Sequence, residues 1–248
     1  MYRYDEEFYR YINAGALRSA EIMIPLVQAS IPLTIGSILD VGCGAGAWLS
    51  VWKKQACVVL GLDGSYLNNA KLLIEQGEFL PRDLRQQFSL RRQFNLVQCL
   101  EVAEHLPPGR SHSLVEDLCK HGDLVFFSAS PPGQGGENHI NEQPYAYWRD
   151  LFAEQHYTMY DPWRRQLMHN NSVMPWYRYN SFLFVNANKH PQCHAALDAS
   201  RIDEGSDPED ISPPGYQLRK RLIRLLPIKV ATGLAITRKT VFRWANRI

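Results

Sequence analysis

The chain of 248 residues lacks any apolar run near the roughly 20 residues that a membrane-spanning helix needs. Its opening residues, MYRYDEEFYR, lack the apolar core of a secretory signal peptide. None of its five cysteines forms a CxxC pair, which argues against a zinc ribbon or a redox dithiol. No repeat with a period of about 20–50 residues is apparent, which argues against solenoids and propellers. These absences predict a cytoplasmic globular protein whose cysteines stay reduced.

Short apolar runs alternate with helical segments over most of the chain. The runs are rich in β-branched and aromatic residues, as expected of strands buried on both faces. They lie at 37–41, 58–63, 94–100, 123–129 and 180–186. Helices are predicted at 46–54, 66–76, 111–120 and 144–155. Because alternating strands and helices form βαβ units, the pattern predicts an α/β fold with a parallel sheet.

Charge is distributed unevenly along the chain. Lys and Arg number 27 against 25 Asp and Glu, yet residues 215–248 contain nine basic residues and no acidic one. We therefore divide the sequence into four parts: a helical cap (1–32), an α/β domain (33–188), an acidic linker (189–214) and a basic amphipathic tail (215–248). The near-neutral total conceals a mildly acidic domain with a cationic extension.

A glycine-rich turn follows the first predicted strand. Asp40 ends that strand, and Gly42, Gly44 and Gly46 lead into the next helix. Glycines let the backbone turn tightly and approach a ligand, while a helix N-terminus offers N–H groups. Asp63 ends the second strand, where an acidic residue can accept both hydroxyls of a ribose. The GxGxG spacing differs from the dinucleotide GxGxxG, and the absence of GK[ST] excludes a Walker A loop.

These residues, with the segment Phe94–Leu106, resemble class I S-adenosylmethionine-dependent methyltransferases. The resemblance covers residues 33–188 and implies a Rossmann-like, seven-stranded sheet with its last strand antiparallel. It also implies S-adenosylmethionine as cofactor, with the three glycines along its methionine part, Asp40 near its amino group and Asp63 at its ribose.

The same resemblance extends the predicted cofactor site to two further places. It puts Asp83 beside the adenine amine, although nearby arginines offer this carboxylate ordinary surface partners. It also puts Leu100 and Glu101, at the end of the fourth strand, next to the cofactor. The family usually has Phe-Asp at the start of that strand, whereas this chain has Phe94-Asn95.

Candidate catalytic residues follow the fourth and fifth strands. Glu101, Glu104 and His105 share one face of a helical turn, and a long Gly/Pro-rich loop at 130–144 carries His139. In one hypothesis His105 or His139, beside Glu104, takes the proton of an acceptor hydroxyl. In a second, Glu101, Glu104, His105 and His139 bind a divalent cation such as Mg²⁺ or Mn²⁺. In a third, Glu101 contacts the cofactor, Glu104 caps or pairs on the surface, and His105 only packs.

The E-x-x-E-H pattern is similar to that of small-RNA 3′-end 2′-O-methyltransferases and ubiquinone-pathway O-methyltransferases. The loop pattern and the aromatic segments 145–148 and 174–180 look like those of methyltransferases from surface-glycan and secondary-metabolite pathways. The resemblance therefore favours O-methylation of a sugar, a glycan or a small metabolite. A metal-dependent RNA 2′-O-methyltransferase and a non-catalytic binding protein are the alternatives.

The tail allows three interpretations. Leucines recur at helical spacing with Arg and Lys between them, and Phe242 and Trp244 follow. Such a helix is typical of peripheral contact with a membrane, here at its inner, cytoplasmic face. Its charge also fits RNA phosphates, a less favoured partner, and a helix docked on the domain with a solvated basic face remains open.

Overall fold

The computed structural model describes residues 6–66, 72–186 and 188–227, together with residues 230, 232–234 and 237. Seven strands form one sheet in the order β3-β2-β1-β4-β5-β7-β6. The strands are β1 (Ser37–Val41), β2 (Val58–Asp63), β3 (Phe79–Pro81), β4 (Leu96–Leu100), β5 (Leu124–Ser128), β6 (Thr158–Tyr160) and β7 (Ser181–Val185). The pairings among β3, β2, β1, β4 and β5 are parallel, whereas β7 is antiparallel to β5 and β6. The predicted Rossmann-like sheet with an antiparallel last strand is confirmed.

Eight α-helices are described. They are α1 (Glu6–Ser30), α2 (Ala47–Lys54), α3 (Ser111–His121), α4 (Tyr145–Glu154), α5 (Arg164–Leu167), α6 (Pro175–Asn180), α7 (Pro191–Leu197) and α8 (Pro214–Ile223). Successive residues of a strand point to opposite faces, so β1 feeds two cores. Ile38 packs in a cluster that includes side chains of α1 and α2, and Leu39 packs in one that includes α3 and α4. The sheet is therefore covered on both faces, as its apolar strands predicted.

The structure differs from the predicted elements in two places. Residues 72–75 are not helical, so the helix predicted at 66–76 is wrong there, and residues 67–71 lie outside the described residues. The segment 189–214, predicted to be a linker, contains α7 and pairs with the sheet edge through an isolated bridge between Arg201 and Tyr160. It therefore packs against the domain for part of its length.

The basic tail begins with α8, and the described residues beyond Pro227 are few. Phe242 and Trp244, which belong to the predicted membrane-binding pattern, lie outside the described residues. Within the described part of the chain, no helix combines the length and apolarity that crossing a bilayer requires.

Candidate functional site

The predicted cofactor residues meet at the carboxyl ends of β1 and β2, where ligands bind in open parallel sheets. Asp40 pairs in register with Gly61 of β2 and with Gln98 of β4. After the strand, the N–H groups of Gly42 and Cys43 both donate to the Leu62 carbonyl, at 2.7 and 3.1 Å. These bonds fold the glycine-rich turn back over the end of β2.

Glycine is required for a different structural reason at each of the three positions of this turn. All have positive φ, but a Cβ on Gly42 would lie 2.2 Å from a Val102 methyl group and one on Gly46 would lie 2.8 Å from Ile74. A Cβ on Gly44 would meet nothing within 4 Å among the described residues. Gly46 also begins α2 without a side-chain cap, so N–H groups of the first turn remain for a ligand. Gly44 therefore borders space that a ligand can enter.

The side chain of Asp40 is a buried carboxyl whose pKa is raised. The residue is only 3% exposed. Burial raises its pKa to about 8, with a smaller contribution from the charge of Asp63, while the Gln98 side chain acts in the opposite direction. A cationic ligand would stabilise the ionised form, which is the role predicted for Asp40 at an amino group.

Asp63 connects the glycine-rich turn to the segment that follows β2. Its Oδ2 accepts a hydrogen bond from the Gly44 N–H at 2.8 Å, and its Oδ1 accepts from the Gly64 N–H and the Tyr66 hydroxyl, both at 2.6 Å. Burial raises the pKa of Asp63 and these bonds oppose the rise. The Tyr66 hydroxyl thus occupies a hydrogen-bonding position of the kind a ribose hydroxyl would use.

Asp83 lies two residues beyond β3, next to the end of β2. Pro81 pairs in register with Asp63, and the Arg82 N–H donates to the Asp63 carbonyl at 2.7 Å. The Asp83 carboxylate accepts from Arg85 Nε and Nη2, at 2.8 and 2.6 Å, and this pair lowers its pKa. A polar cavity of about 350 Å³ at residues 81–83 and 86–89 adjoins it. Its position fits the adenine assignment, which stays a prediction.

Beyond Leu100, the last residue of β4, the chain turns sharply at Glu101. Glu101 has a φ of 57°, a left-handed conformation that costs a non-glycine residue about 1 kcal/mol. Its N–H is held by the Ser128 carbonyl and hydroxyl, at 3.0 and 3.1 Å. The strained turn aims the Glu101 carboxylate at the 130–142 loop.

The Glu101 carboxylate sits in a network of amides. It accepts from Gln134 Nε2 at 3.0 Å and from Asn180 Nδ2 at 3.2 Å, and the Ser130 hydroxyl lies 3.2 Å away. Asn180 also donates to Gln134 Oε1 at 2.8 Å and accepts from the Tyr145 hydroxyl at 2.8 Å. Loop, helix and strand end are therefore joined through side chains.

Glu104 is fully buried and incompletely hydrogen-bonded. Its Oε1 accepts from the Ser130 hydroxyl at 2.8 Å, whereas Oε2 accepts no bond from a described donor. Burial raises its pKa, and the charge of Glu104 adds to the effect of burial in raising the pKa of Glu101. Because a buried acceptor oxygen without a donor is unfavourable, a ligand or a proton bound at Oε2 would be stabilising.

The backbone of Glu104 brings the distant His139 to this place. The N–H groups of Ile140 and Asn141 both donate to the Glu104 carbonyl, at 2.9 and 3.0 Å. His105 and His139 then meet edge to face with ring centroids 4.8 Å apart. This contact between two histidines 34 residues apart in the sequence is the one predicted across the crevice.

Each histidine ring is oriented by an acceptor on its Nδ1 atom. His105 Nδ1 lies 3.3 Å from the Asn138 carbonyl, and His139 Nδ1 lies 2.8 Å from Glu142 Oε1. With a proton on Nδ1, the lone pair of each ring is on Nε2. Burial lowers the pKa of His105 to about 3, and His139 adds to the effect, so His105 is neutral at neutral pH.

The structure brings three of the four predicted metal-binding residues into one cluster. Ligand atoms of Glu104, His105 and His139 all lie within 4.8 Å of one another. Glu101 is outside this cluster and is linked to it through Ser130. We call Glu104, His105 and His139 the acid–histidine cluster.

Residues of the two aromatic segments are buried in different surroundings. Trp148 is 2% exposed and packs on Phe127, which makes it a core residue. Tyr145 reaches the site network through Asn180. Arg178 is buried and donates to Asn171 Oδ1 at 2.8 Å.

The beginning of the tail also contacts the site loop. Arg219 Nη1 donates to the Gln134 carbonyl at 3.0 Å. A Cβ on Gly133 would lie 2.1 Å from the Lys220 carbonyl oxygen, so α8 and the loop touch backbone to backbone. Sequence reasoning missed this contact and also the roles of Ser130, Gln134 and Glu142, whose only signal was the cluster of glycines around them.

Residues 17–171 match the family model described as "Methyltransferase domain". The chain is 33% identical over 125 residues to a ubiquinone biosynthesis O-methyltransferase of Acinetobacter baylyi. The matched region covers 47% of this chain and 47% of that protein. The protein of the same name from Coxiella burnetii is 29% identical over 126 residues, 46% of this chain and 54% of that protein. The chain spans about half the length of these curated relatives.

Two solved structures resemble this fold over most of their length. One is an amino pentose methyltransferase from Micromonospora echinaspora with bound S-adenosylmethionine, at 16% identity and a TM-score of 0.54, covering 75% of this chain and 98% of that one. The other is a sugar N-methyltransferase from Streptoalloteichus, at 16% identity and a TM-score of 0.56, covering 75% and 95%. At this identity the likeness concerns the fold.

Proposed function

Because this chain belongs to the methyltransferase domain family, which matches residues 17–171, we propose that it methylates a hydroxyl of a sugar, a glycan or another small molecule, using S-adenosylmethionine. The family membership confirms the resemblance to class I methyltransferases, and with it the enzyme class and the cofactor predicted from the sequence. The acceptor and the reacting residues belong to the proposal.

The observation that carries the proposal is the acid–histidine cluster beside the glycine-rich turn. Gly42 packs so closely on Val102 that even a methyl group would not fit between them. Val102 directly precedes the short turn Ala103–His105, which holds two of the three cluster residues. Cofactor turn and cluster are therefore neighbours at one edge of the sheet, as methyl transfer between two ligands requires.

The residues present fit S-adenosylmethionine. The space beside Gly44 admits a ligand against the backbone, and the buried Asp40 carboxyl offers the partner that a cationic amino group prefers. Asp63 can accept ribose hydroxyls once Tyr66 yields its position. When bound, the cofactor supplies an electrophilic methyl group on a sulfonium.

The acid–histidine cluster also fits a divalent cation such as Mg²⁺ or Mn²⁺. Carboxylate and imidazole together suit these ions, and Glu104 Oε2 is buried without a described donor. Asn138 and Glu142 orient the two rings in the way that second-shell partners orient metal ligands. Such a cation would hold the acceptor hydroxyl and lower its pKa.

The pKa of His105 favours the cation over direct proton removal by this residue. A base with a pKa of about 3 accepts a proton from a hydroxyl poorly, whereas a neutral imidazole is the form that ligates metals. His139, paired with Glu142, is the base in the competing version.

The acceptor is proposed to be a small hydroxylated molecule. The curated relatives are named as O-methyltransferases of ubiquinone biosynthesis, and the structural neighbours are named as sugar methyltransferases. In this chain, Gln134, Asn180 and Tyr145 place amide and hydroxyl groups around Glu101, which suits recognition of polar substituents.

Turnover to S-adenosylhomocysteine, measured against panels of sugars, phenols and RNA 3′ ends, tests the proposal. Glu104→Gln, His105→Ala and His139→Ala should each lower turnover about 100-fold or more while the cofactor Kd changes little. His112→Ala, an exposed histidine, is the control and should retain activity.

Metal dependence separates the two versions of the mechanism. EDTA should abolish turnover, and Mg²⁺ or Mn²⁺ should restore it. Full activity in EDTA would refute the cation and leave His139 as base, and activity on RNA alone would refute the acceptor class.

A further inference from the structure

The helix α8 directs Arg219 and Lys220 toward the domain and exposes both of its leucines, Leu218 and Leu222. Lys220 is 5% exposed, and its Nζ lies 2.5 Å from Asp210 Oδ2. Leu218, Leu222 and Leu225 are 57%, 58% and 81% exposed. A helix that only packs on its own domain buries its apolar side, because removing apolar surface from water is favourable. The orientation of α8 indicates an apolar environment beyond the described chain.

Specific contacts fix this orientation. Arg219 donates to the Gln134 carbonyl, the Lys220 carbonyl abuts Gly133, and Gly135 lies beside Ile223. Lys220 and Arg219 also lie over the ring of Tyr216. The side of α8 that faces the loop is therefore occupied by Arg219, Lys220 and Ile223.

The exposed side of α8 combines apolar and cationic groups. Leu218 and Leu222 lie four residues apart and so on one side of α8, and Leu225 follows in the turn after its C-terminal end. Arg221 and Arg224 are exposed beside them. We call these five residues the leucine–arginine face. Beyond it the chain continues with exposed Val230 and Leu234, and residues 215–248 carry nine basic and no acidic residues.

We propose that the leucine–arginine face binds the surface of a bilayer that contains anionic phospholipids. Leucines enter the boundary between headgroups and acyl chains, while arginines pair with phosphates, and charge of a single sign suits an extended anionic surface. RNA offers phosphates as well, but it offers no apolar layer for three exposed leucines.

Binding at this face has a geometric consequence. The same helix holds Gly133, Gln134 and Gly135 on its other side. The loop that completes the acid–histidine cluster would therefore sit one helix diameter, about 10 Å, from the lipid surface.

Co-sedimentation of the full chain with vesicles tests the surface. Binding to equal parts of phosphatidylcholine and phosphatidylglycerol should exceed binding to phosphatidylcholine alone at least tenfold, and should weaken with salt. The triple variant Leu218→Ser, Leu222→Ser, Leu225→Ser and the double variant Arg221→Glu, Arg224→Glu should each lose at least tenfold.

Matched variants elsewhere provide the control. Val58→Ser changes another exposed apolar residue, and Arg91→Glu with Arg92→Glu makes the same charge change near the start of β4. Both should bind anionic vesicles as the wild type does. Equal loss in these controls, or no preference for anionic vesicles, would overturn the proposal.

Fluorescence labelling at a single substituted position tests the same surface without multiple substitutions. An environment-sensitive fluorophore on Leu222→Cys should shift to the blue on anionic vesicles, and one on Val58→Cys should not. No shift at position 222 would overturn the proposal. So would poly(U) that binds more tightly than the vesicles and displaces them at the same ionic strength.

Discussion

At Asp40, burial opposes the ionised state that the proposed cofactor contact requires. The pKa of about 8 means that the folded, cofactor-free protein holds a proton that the unfolded chain releases near its ordinary value of 3.8. The contribution of Asp40 to folded stability is therefore highest below that ordinary value and decreases as pH rises toward 8. A cationic amino group reverses this loss, because it favours the ionised form.

Asp40→Asn should therefore separate stability from binding. The variant cannot ionise at this position. The difference in the free energy of unfolding between the variant and the wild type should therefore grow in favour of the variant by about 2–4 kcal/mol from pH 5 to pH 8, as measured by chemical denaturation of the cofactor-free proteins. Calorimetric titration should show at least a tenfold loss of affinity for S-adenosylmethionine. An identical pH response of both proteins would contradict the assignment.

Gly44 and Gly42 provide a second contrast at single residues. Gly44→Ala should leave the fold nearly intact, at a cost of about 1 kcal/mol for its positive φ, while its methyl group enters the cofactor space and lowers affinity tenfold or more. Gly42→Ala should instead destabilise the protein, because its methyl group would overlap Val102. Thermal unfolding and cofactor titration distinguish the two, and equal unfolding temperatures would contradict this reading.

Local motifs explain which site residues the sequence could predict. Asp40 and Asp63 lie at the carboxyl ends of β1 and β2, and the glycines follow β1, so strand prediction was enough to bring them together. His139 contacts His105 as predicted. The contact depends on backbone hydrogen bonds from Ile140 and Asn141 to the Glu104 carbonyl, which no sequence pattern indicates. Gln134 was missed because its partners, Glu101 and Asn180, come from distant parts of the chain.

Among the elements, α3 and its N-cap residue carry a buried ion pair whose two side chains also hydrogen-bond to the 84–90 segment. Arg110 Nη2 lies 2.5 Å from Asp117 Oδ2, with side chains 5% and 1% exposed. Arg110 also donates to the carbonyls of Leu84 and Gln86. The guanidinium therefore fixes a segment that follows the proposed adenine contact.

Arg110→Met should destabilise the protein by about 3–5 kcal/mol, because the buried Asp117 carboxylate loses its nearest cation and keeps only the exposed Lys120, whose Nζ is 3.8 Å from Oδ1. Arg85→Met removes the partner of Asp83 in an exposed pair and should change the denaturation midpoint little. Similar midpoints for the two variants would show that the buried pair does not stabilise α3.

Element prediction succeeded for long apolar strands and failed where local signals are weak. The strand β1 has the predicted bounds, whereas the three-residue strands β3 and β6 have too few residues to show a pattern. The helix α7 was missed in a segment whose Pro and acidic residues resemble a linker. Its Cys193 and Leu197 are buried, so tertiary packing decided the outcome.

For the whole molecule, the contact between α8 and the site loop predicts that the tail contributes to activity. A chain that ends at Ser212 should keep its affinity for S-adenosylmethionine, because the contacts that hold Asp40, Gly44 and Asp63 come from β1, β2, β4 and the turns beside them. Its methyl transfer should fall about tenfold or more, since Gln134 loses the bond from Arg219 and the loop loses its cover. Turnover equal to that of the full chain would contradict a positioning role.

The strand order also bears on synthesis at the ribosome. In the sheet, β7 lies between β5 and β6, although it is the last of the three to be made. Until residue 185 leaves the exit tunnel, the edge of β5 is unpaired and β6 has no neighbour, since β7 is its only strand partner among the described elements. An apolar edge exposed in this way is a site for intermolecular pairing. The nascent chain is therefore most exposed to aggregation between the emergence of β5 and that of β7, the interval in which a chaperone would protect it.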